Sequence, residues 1–519
     1  MEKSFNITGR CFPQEHYMAD VSKKMEVIIK MVRKGDYFII NRPRQYGKTT
    51  TLHYLSQALI ESGEYLVLHT SFEGIGDDIF ENEESFAPGF IRFLSTYAEI
   101  YAPQLVEWLN QAIPRILKLD TLAKFITELT HKTDKKIILI IDEVDKSSNN
   151  QLFISFLAML RDKYMIRDNA KTFHSVILAG VHDIKTLKLK LRPEDEKKFN
   201  SPWNIAAEFK VDMNLQPQEI KPMLEEYVRD KGVKMSTQKI ADRLFYHTSG
   251  YPFLVSKLCK MLDEDIIPEK GSKKWLNTDV DTAARLLATE SNTNFDSLIA
   301  NLENNPELYQ HVYNVAVDNI RVPFNIHDPI TNLGVIYGIF ANNNGLVIHN
   351  RVYRELIVEY MTAKLLRIQY SKGANFSSGY KNDDNSINME LVLLKFQAFM
   401  REQYSKKDRD FVERQGRLLF LAFIKPIING SGYDFKEPQI SEENRLDVAI
   451  TYYQFKYIAE LKIWRGEKAH EKGLIQLAQY LDKQGFNEGY LLIFDHSSIK
   501  SWASKWEEVQ NKKIFMIWV

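Results

Sequence analysis

Two polar groupings have the residue types and spacing for phosphate chemistry. Gly47-Lys48-Thr49 follows a short apolar run, Tyr37-Phe38-Ile39-Ile40, and precedes Leu52, Leu55 and Leu59 at helical spacing. A strand, a glycine turn and a helix start, in that order, make a cradle for phosphate, because the first amides of a helix have no intrahelical acceptor. On this reading Lys48 reaches the β- and γ-phosphates of a nucleotide and the Thr49 hydroxyl ligates Mg²⁺. Arg44, Gln45, Tyr46 and Thr50 complete the loop and the first helical turn. The full motif has a glycine five residues before Gly47, where this chain has Arg42.

The acids that such a loop needs lie downstream. Ile137–Ile141 is a continuous apolar run, as expected of a strand buried on both faces, and it ends in Asp142 and Glu143. Asp142 would hold Mg²⁺ through water, and Glu143 would polarise the attacking water. A buried strand followed by a solvated acidic turn is the plain alternative. Loop and acids in one chain favour a nucleotide site.

The second grouping is Asn444-Arg445-Leu446-Asp447, followed by Ile458-Ala459-Glu460-Leu461-Lys462. Adjacent strands joined by a short turn put Asp447 opposite the Glu460 region. Residues two apart in a strand share a face, so Glu460 and Lys462 point one way and Ala459 and Leu461 the other. Asp447 and Glu460 offer hard oxygen ligands to a divalent metal. The metal would acidify a water and stabilise charge building on phosphorus, while Lys462 orients that water. Gln476 and Tyr480 lie one turn apart on the next helix and so share a face. A two-stranded ribbon with an ordinary charged outer face is the alternative.

The elements that must carry these residues define the organisation. Strands at Tyr37–Ile40, Lys136–Ile141 and Val176–Gly180, alternating with helical stretches, predict a parallel α/β sheet. Beyond about residue 215 the pattern turns helical, over Glu219–Tyr227, Thr237–His247 and Pro252–Leu262. Strands are expected at Ile336–Phe340 and Gly345–Ile348, which with neighbouring helices suit a winged-helix module. Residues 371–388 are polar, small and nearly free of aliphatics, the composition of a linker. A new pattern follows: helices at Glu390–Phe399 and Phe411–Ile424, strands at Arg445–Thr451 and Phe455–Trp464, a helix at Lys472–Lys483 and a strand at Gly489–Phe494.

Composition bounds the function classes. The chain has 519 residues, long enough for several domains, and equal numbers of basic and acidic residues, 68 each. No global basic field marks nucleic acid or an acidic membrane as its partner. The basic run Lys185, Lys188, Lys190 and Arg192 is followed at once by Glu194, Asp195 and Glu196 and reads as a solvated face. Two cysteines, Cys11 and Cys259, give neither a disulfide framework nor a structural zinc site and fit a reducing compartment. No histidine pair has metal-ligand spacing. The most apolar stretches, Ile137–Ile141 and Leu418–Ile424, fall short of the roughly 20 residues of a membrane span. A cytoplasmic, soluble, multidomain protein is expected.

The loop Arg42-Pro43-Arg44-Gln45-Tyr46-Gly47-Lys48-Thr49 and the Asp142-Glu143 strand resemble the P-loop ATPases of the AAA-like and STAND-like group, including a bacterial branch with an Arg-Pro-Arg-x-x-Gly-Lys-Thr loop. The resemblance implies ATP and Mg²⁺ as cofactors and a sensor strand over Ser175–His182, with His182 near the γ-phosphate. Gly250-Tyr251-Pro252-Phe253 is similar to the Gly-x-Pro element of that group, which implies a nucleotide contact for Pro252. A glycine turn and a proline opening a helix explain the same residues locally. The trans-acting arginine is not assignable; Arg161 and Arg192 are candidates.

Asp447, Glu460-Leu461-Lys462 and Gln476-Leu477-Ala478-Gln479-Tyr480 resemble the PD-(D/E)XK nuclease superfamily, with Leu446 where the family has proline. The resemblance implies Mg²⁺ or Mn²⁺ at this site, catalysis by Asp447, Glu460, Lys462 and Gln476, and an acid from the first helix, Glu413 before Glu402, with Glu437 as the strand alternative. The combined expectation is a P-loop AAA-like ATPase core (1–215), a helical lid (216–300), a winged-helix-like region (301–370), a linker (371–388) and a nuclease-like α/β domain of restriction-endonuclease type (389–519). Nucleic acid, DNA before RNA, is the expected partner, with homo-oligomerisation through the ATPase domain and no membrane. The near balance of charge beyond residue 385 supports the rival expectation of an ATP-driven switch whose last domain binds without cutting.

Overall fold

The computed structural model describes residues 2–147, 151–181, 203–316, 322–370, 380, 382, 384, 386–403, 420, 423–424, 440–441, 447–452, 455–464, 467–495 and 501–519. The chain forms two compact units and passes from one to the other between Leu356 and Ile357, within the helix Arg351–Tyr370.

The first unit is built on a four-stranded parallel sheet in the order β1-β4-β3-β2, with β1 Phe38–Asn41, β2 Tyr65–Ser71, β3 Lys136–Asp142 and β4 Ser175–Gly180. A parallel bridge from Ala207 to Phe38 extends the sheet beyond β1. The inner strands β3 and β4 are buried along almost their whole length, which explains their aliphatic runs Ile137–Ile141 and Val176–Ala179. Aromatic residues Phe80, Phe86, Phe90, Phe153 and Phe156 pack over one face with Leu68, Leu139 and Leu178. Because β4 lies between β1 and β3, the C-terminal ends of β1 and β3 are one strand apart. A side chain leaving the β1 loop can therefore meet one leaving β3.

Helices follow over Pro217–Lys231, Thr237–Thr248, Pro252–Met261, Asn277–Thr289, Thr293–Glu303 and Pro306–Ala316. The strand expected at Ile336–Phe340 is not formed. Pro329–Ile336 is a helix, because the Asp328 carboxylate caps it by accepting the Thr331 N–H at 2.7 Å and Pro329 opens its first turn. The strand, β5, is Phe340–Asn342, and it pairs antiparallel with β6, Leu346–Ile348.

The second unit is a six-stranded mixed sheet in the order β11-β12-β10-β9-β8-β7. Its strands are β7 Ile440–Ser441, β8 Asp447–Tyr452, β9 Phe455–Ile463, β10 Glu488–Phe494, β11 Ser504–Val509 and β12 Lys512–Trp518. β9, β10 and β12 are mutually parallel; β7, β8 and β11 run against their neighbours. The helix Met389–Gln403 covers one face through Val392, Leu393 and Phe396, against Ala459, Leu461 and Leu492. The helix Glu467–Gln484 covers the other through Leu474, Leu477 and Leu481, against Ile458, Leu491 and Ile493. The closing hairpin β11–β12 has no counterpart in the sequence reading, which ends at Phe494. Among the described residues no helix is long and apolar enough to cross a membrane.

Candidate functional sites

The loop between β1 and the helix Lys48–Glu61 spans Arg42–Gly47, and Gly47 caps the helix from the left-handed region at φ 74°. Lys48 is only 4% exposed, and its ammonium donates to the carbonyls of Arg42, at 2.9 Å, and Pro43, at 3.0 Å. Burial lowers the Lys48 pKa, opposed by the charges of Glu143 and Asp142. The Thr49 hydroxyl donates to Asp142 Oδ2 at 2.8 Å, so loop and acidic strand meet across the end of β4. Asp142 is 2% exposed, and burial raises its pKa; its other oxygen accepts the Glu143 N–H at 2.9 Å. Burial raises the Glu143 pKa too, with Lys48 opposing.

Two residues here hold left-handed backbone without being glycine, Gln45 at φ 57° and Glu143 at φ 51°. Such conformations cost roughly 1–3 kcal/mol and concentrate at functional sites. A buried lysine, a hydroxyl already on a buried carboxylate and a fan of helix N-terminal amides fit a phosphate chain with a hydrated divalent cation. Lys48, Thr49 and Asp142 would hold them.

Arg42, in the place of the missing glycine, turns its guanidinium away from the loop. It donates to the Val211 carbonyl at 2.8 Å and lies over the Phe209 ring at 5.3 Å. Arg44 and Gln45 are exposed, whereas Tyr46 is buried. The Tyr46 hydroxyl donates to Asn214 Oδ1 at 2.6 Å and meets His349 Nε2 at 3.0 Å. Thr50 Oγ1 accepts the Cys11 N–H at 3.2 Å, tying the N-terminal segment to the loop helix. Pro252 opens the helix Pro252–Met261, and Arg161 lies in the helix Gln151–Met165. His182, Lys185, Lys188, Lys190 and Arg192 lie outside the described residues.

Sequence reasoning missed four participants. Asp145 accepts the Val181 N–H at the end of β4. Asn214 and His349 hold Tyr46, and Tyr251 holds the Arg44 carbonyl at 2.6 Å. Asp145 stood three residues after Asp142 and could have been weighed; the Gly250–Phe253 element pointed to Pro252 and not to its neighbour Tyr251, and nothing in the sequence marked Asn214 or His349.

In the second unit, the β8–β9 register sets Asp447 opposite Glu460. Asp447 is described by its backbone. Glu460 is 6% exposed, and burial raises its pKa, with Lys462 opposing. Lys462 Nζ lies 2.7 Å from Glu460 Oε1 and donates to Gln476 Oε1 at 3.5 Å. Glu460, Lys462 and Gln476 are thus brought together between β9 and the helix Glu467–Gln484, where Gln476 is exposed and Tyr480 is partly buried against the core. The carboxylates offer hard oxygen ligands of the kind that suit Mg²⁺ or Mn²⁺. Among the described residues no group of three or more His, Cys, Asp or Glu side chains surrounds a common point. Glu413 and Glu437 lie outside the described residues, and Glu402 is placed only by its helix, Met389–Gln403.

Similar solved structures include the Walker-type ATPase PABY2304 of Pyrococcus abyssi, 11% identical with a TM-score of 0.46, covering 68% of this chain and 99% of that one. The ORC2 protein of Aeropyrum pernix, in ADPNP and ADP complexes, is 13% identical with a TM-score of 0.37, covering 69% of this chain and 96% of that one. A RuvB variant of Thermotoga maritima is 12% identical with a TM-score of 0.34, covering 65% of this chain and 95% of that one. No curated protein matches the chain. Residues 13–357, which contain the loop, the acidic strand and the helices beyond them, match the AAA-like domain family. With that match spanning more than half of its length, the chain belongs to the AAA-like domain family, and its first unit is a P-loop ATPase domain of that family.

Proposed function

We propose that the first unit binds and hydrolyses ATP with Mg²⁺, and that the second unit is a metal-dependent nuclease of PD-(D/E)XK type whose cleavage depends on the nucleotide state. Lys48 takes the β- and γ-phosphates. Thr49 and Asp142 hold the cation, and Glu143 activates water for attack on the γ-phosphorus. The resemblance of the Gly250–Phe253 element supports a nucleotide contact at Pro252, and that of the sensor strand one at His182.

The observation that carries the nuclease half is the convergence of Lys462 on Glu460 and Gln476, with Asp447 opposite in register. Asp447 and Glu460 would hold a divalent metal, which when bound would lower the pKa of a water so that hydroxide is available for attack on a phosphodiester. Lys462 holds that water in line, and Gln476 keeps the ammonium aimed at it. Nucleic acid, with DNA before RNA, is the substrate that the resemblance to PD-(D/E)XK nucleases implies.

The test is cleavage of single-stranded DNA, duplex DNA and RNA with Mg²⁺ or Mn²⁺, with and without ATP. Wild type, Lys48→Ala and Lys462→Ala run side by side. Loss of cleavage in Lys462→Ala supports the nuclease, and a changed rate in Lys48→Ala supports its dependence on nucleotide. A second reading, a switch whose second unit binds without cutting, draws on the near balance of charge beyond residue 385. ATP turnover without cleavage of any substrate favours it.

A further inference from the structure

Helix interiors disfavour glycine, yet the helix Glu467–Gln484 carries Gly473 in its second turn, buried against the sheet. The backbone there is helical, so no unusual torsion asks for glycine. The reason lies across the interface. A Cβ at position 473 would lie 2.5 Å from Lys462 Nζ, 3.0 Å from its Cδ and 3.2 Å from its Cε. The end of the Lys462 side chain thus occupies the volume that any other residue at 473 would fill. Gln476, three residues on and on the same helix face, supplies the oxygen at 3.5 Å, and Glu460 supplies the one at 2.7 Å.

We propose that Gly473 is a positioning residue for the nuclease reaction: its missing side chain is the seat that aims the Lys462 ammonium between Glu460 and Gln476. The inference rests on the nuclease reading of the second unit. A methyl group at 473 leaves the helix intact, since alanine is the better helix former. It also leaves Asp447 and Glu460 free to take the metal. What it moves is the lysine. Its flexible end must retreat by about 1 Å to reach van der Waals distance, and displacements of that size cost on the order of 100-fold in rate where a group must be held in line.

The experiment uses the full chain as wild type, Gly473→Ala, Lys462→Ala and the double variant. Single-turnover cleavage of DNA and RNA oligonucleotides is measured with Mn²⁺, alongside Mn²⁺ affinity and thermal unfolding. Reductive methylation of the Lys462 amine is followed by peptide mass spectrometry. The proposal expects Gly473→Ala to cleave on the order of 100-fold more slowly. Its Mn²⁺ affinity stays within twofold of wild type and its unfolding temperature is equal or higher. Lys462 is methylated several-fold faster, being loosened from Glu460. Gly473→Ala added to Lys462→Ala brings no further loss, because the glycine acts only through the lysine.

Wild-type cleavage by Gly473→Ala, with unchanged methylation of Lys462, would overturn the proposal, as would a further loss in the double variant. Absence of cleavage by wild type overturns the nuclease reading and the catalytic part of this proposal with it. Faster methylation in Gly473→Ala would then still support Gly473 as the seat of the lysine.

Discussion

The Tyr251 hydroxyl donates to the backbone carbonyl of Arg44 at 2.6 Å, across 207 residues of sequence. Arg44 lies at the centre of the phosphate loop, and Tyr251 directly precedes the helix that Pro252 opens. The Tyr46 and Tyr251 rings meet edge to face at 4.4 Å, and Tyr353 reaches the same cluster through Asn294, at 2.6 Å. A loop that lacks its first glycine is thereby held from outside, by residues of the helices and of the segment around His349.

Removing that hydroxyl tests the hold. Tyr251→Phe leaves the Arg44 carbonyl without its buried donor, which costs about 1–2 kcal/mol of stability. Urea unfolding followed by circular dichroism measures it. Since the loop is then less preorganised, nucleotide affinity is expected to fall several-fold in a fluorescent ATP-analogue titration.

Lys48→Ala removes the cation that phosphate oxygens would replace carbonyls to reach. Charge-assisted hydrogen bonds contribute about 1.5–3 kcal/mol each, so ATP affinity drops by roughly 10- to 100-fold or more. Isothermal titration calorimetry reads it. Affinity equal to wild type would defeat the assignment of the loop.

Asp142 couples stability to both pH and metal. Burial raises its pKa in the folded state, so the folded protein binds its proton more tightly than the unfolded chain does. The stability it contributes is present below the unfolded value of 3.8 and is lost as pH rises through the folded pKa. Asp142→Asn has no such loss. Without ligand, the variant's unfolding temperature should exceed wild type at pH 7.5, and the gap should close towards pH 4. Adding Mg²⁺ and ATP should raise the wild-type temperature and leave the variant's nearly unmoved. A pH-independent gap would contradict the argument.

His349 works in the opposite sense. Burial pushes its pKa down to about 4 from 6.5, so acid protonates the unfolded chain first. The corresponding stability is complete above 6.5 and drains away as pH falls towards 4. His69, also pushed down to about 4 by burial, shares that window. His349→Gln should flatten part of the slope between pH 6.5 and 4 in urea unfolding and leave the share due to His69.

Much of this fold was legible in the residues. Ile137–Ile141 had to be a strand buried on both faces, and the run of leucines after Thr49 had to be a helix. The alternation around Glu460 separated a charged face of β9 from an apolar one. Errors came where local signals competed. The aliphatic content of residues 336–340 read as a strand, while the Asp328 cap and Pro329 extended a helix to Ile336. The exposed, charged strand β11 left no alternation to find, and it exists because β12 offers an edge to pair with.

What the sequence determined by itself was local: element type, from periods of 3.6 and 2 residues, and the chemical kind of each candidate group. It could place Lys48 at a helix start and Asp142 at a strand end. Tertiary structure alone decided which groups meet. The insertion of β4 between β1 and β3 brings Thr49 to Asp142, the packing of distant helices brings Tyr251 and His349 to the loop, and the close approach of a helix to β9 makes room for Lys462 only over Gly473. The motifs anticipated that Thr49 and Asp142 serve one cation. Hydrophobic burial, which drives the packing, is non-directional, so the meetings of Tyr251 and His349 with the loop and of Lys462 with Gly473 are properties of the assembled core and leave no signature in the spacing of residues.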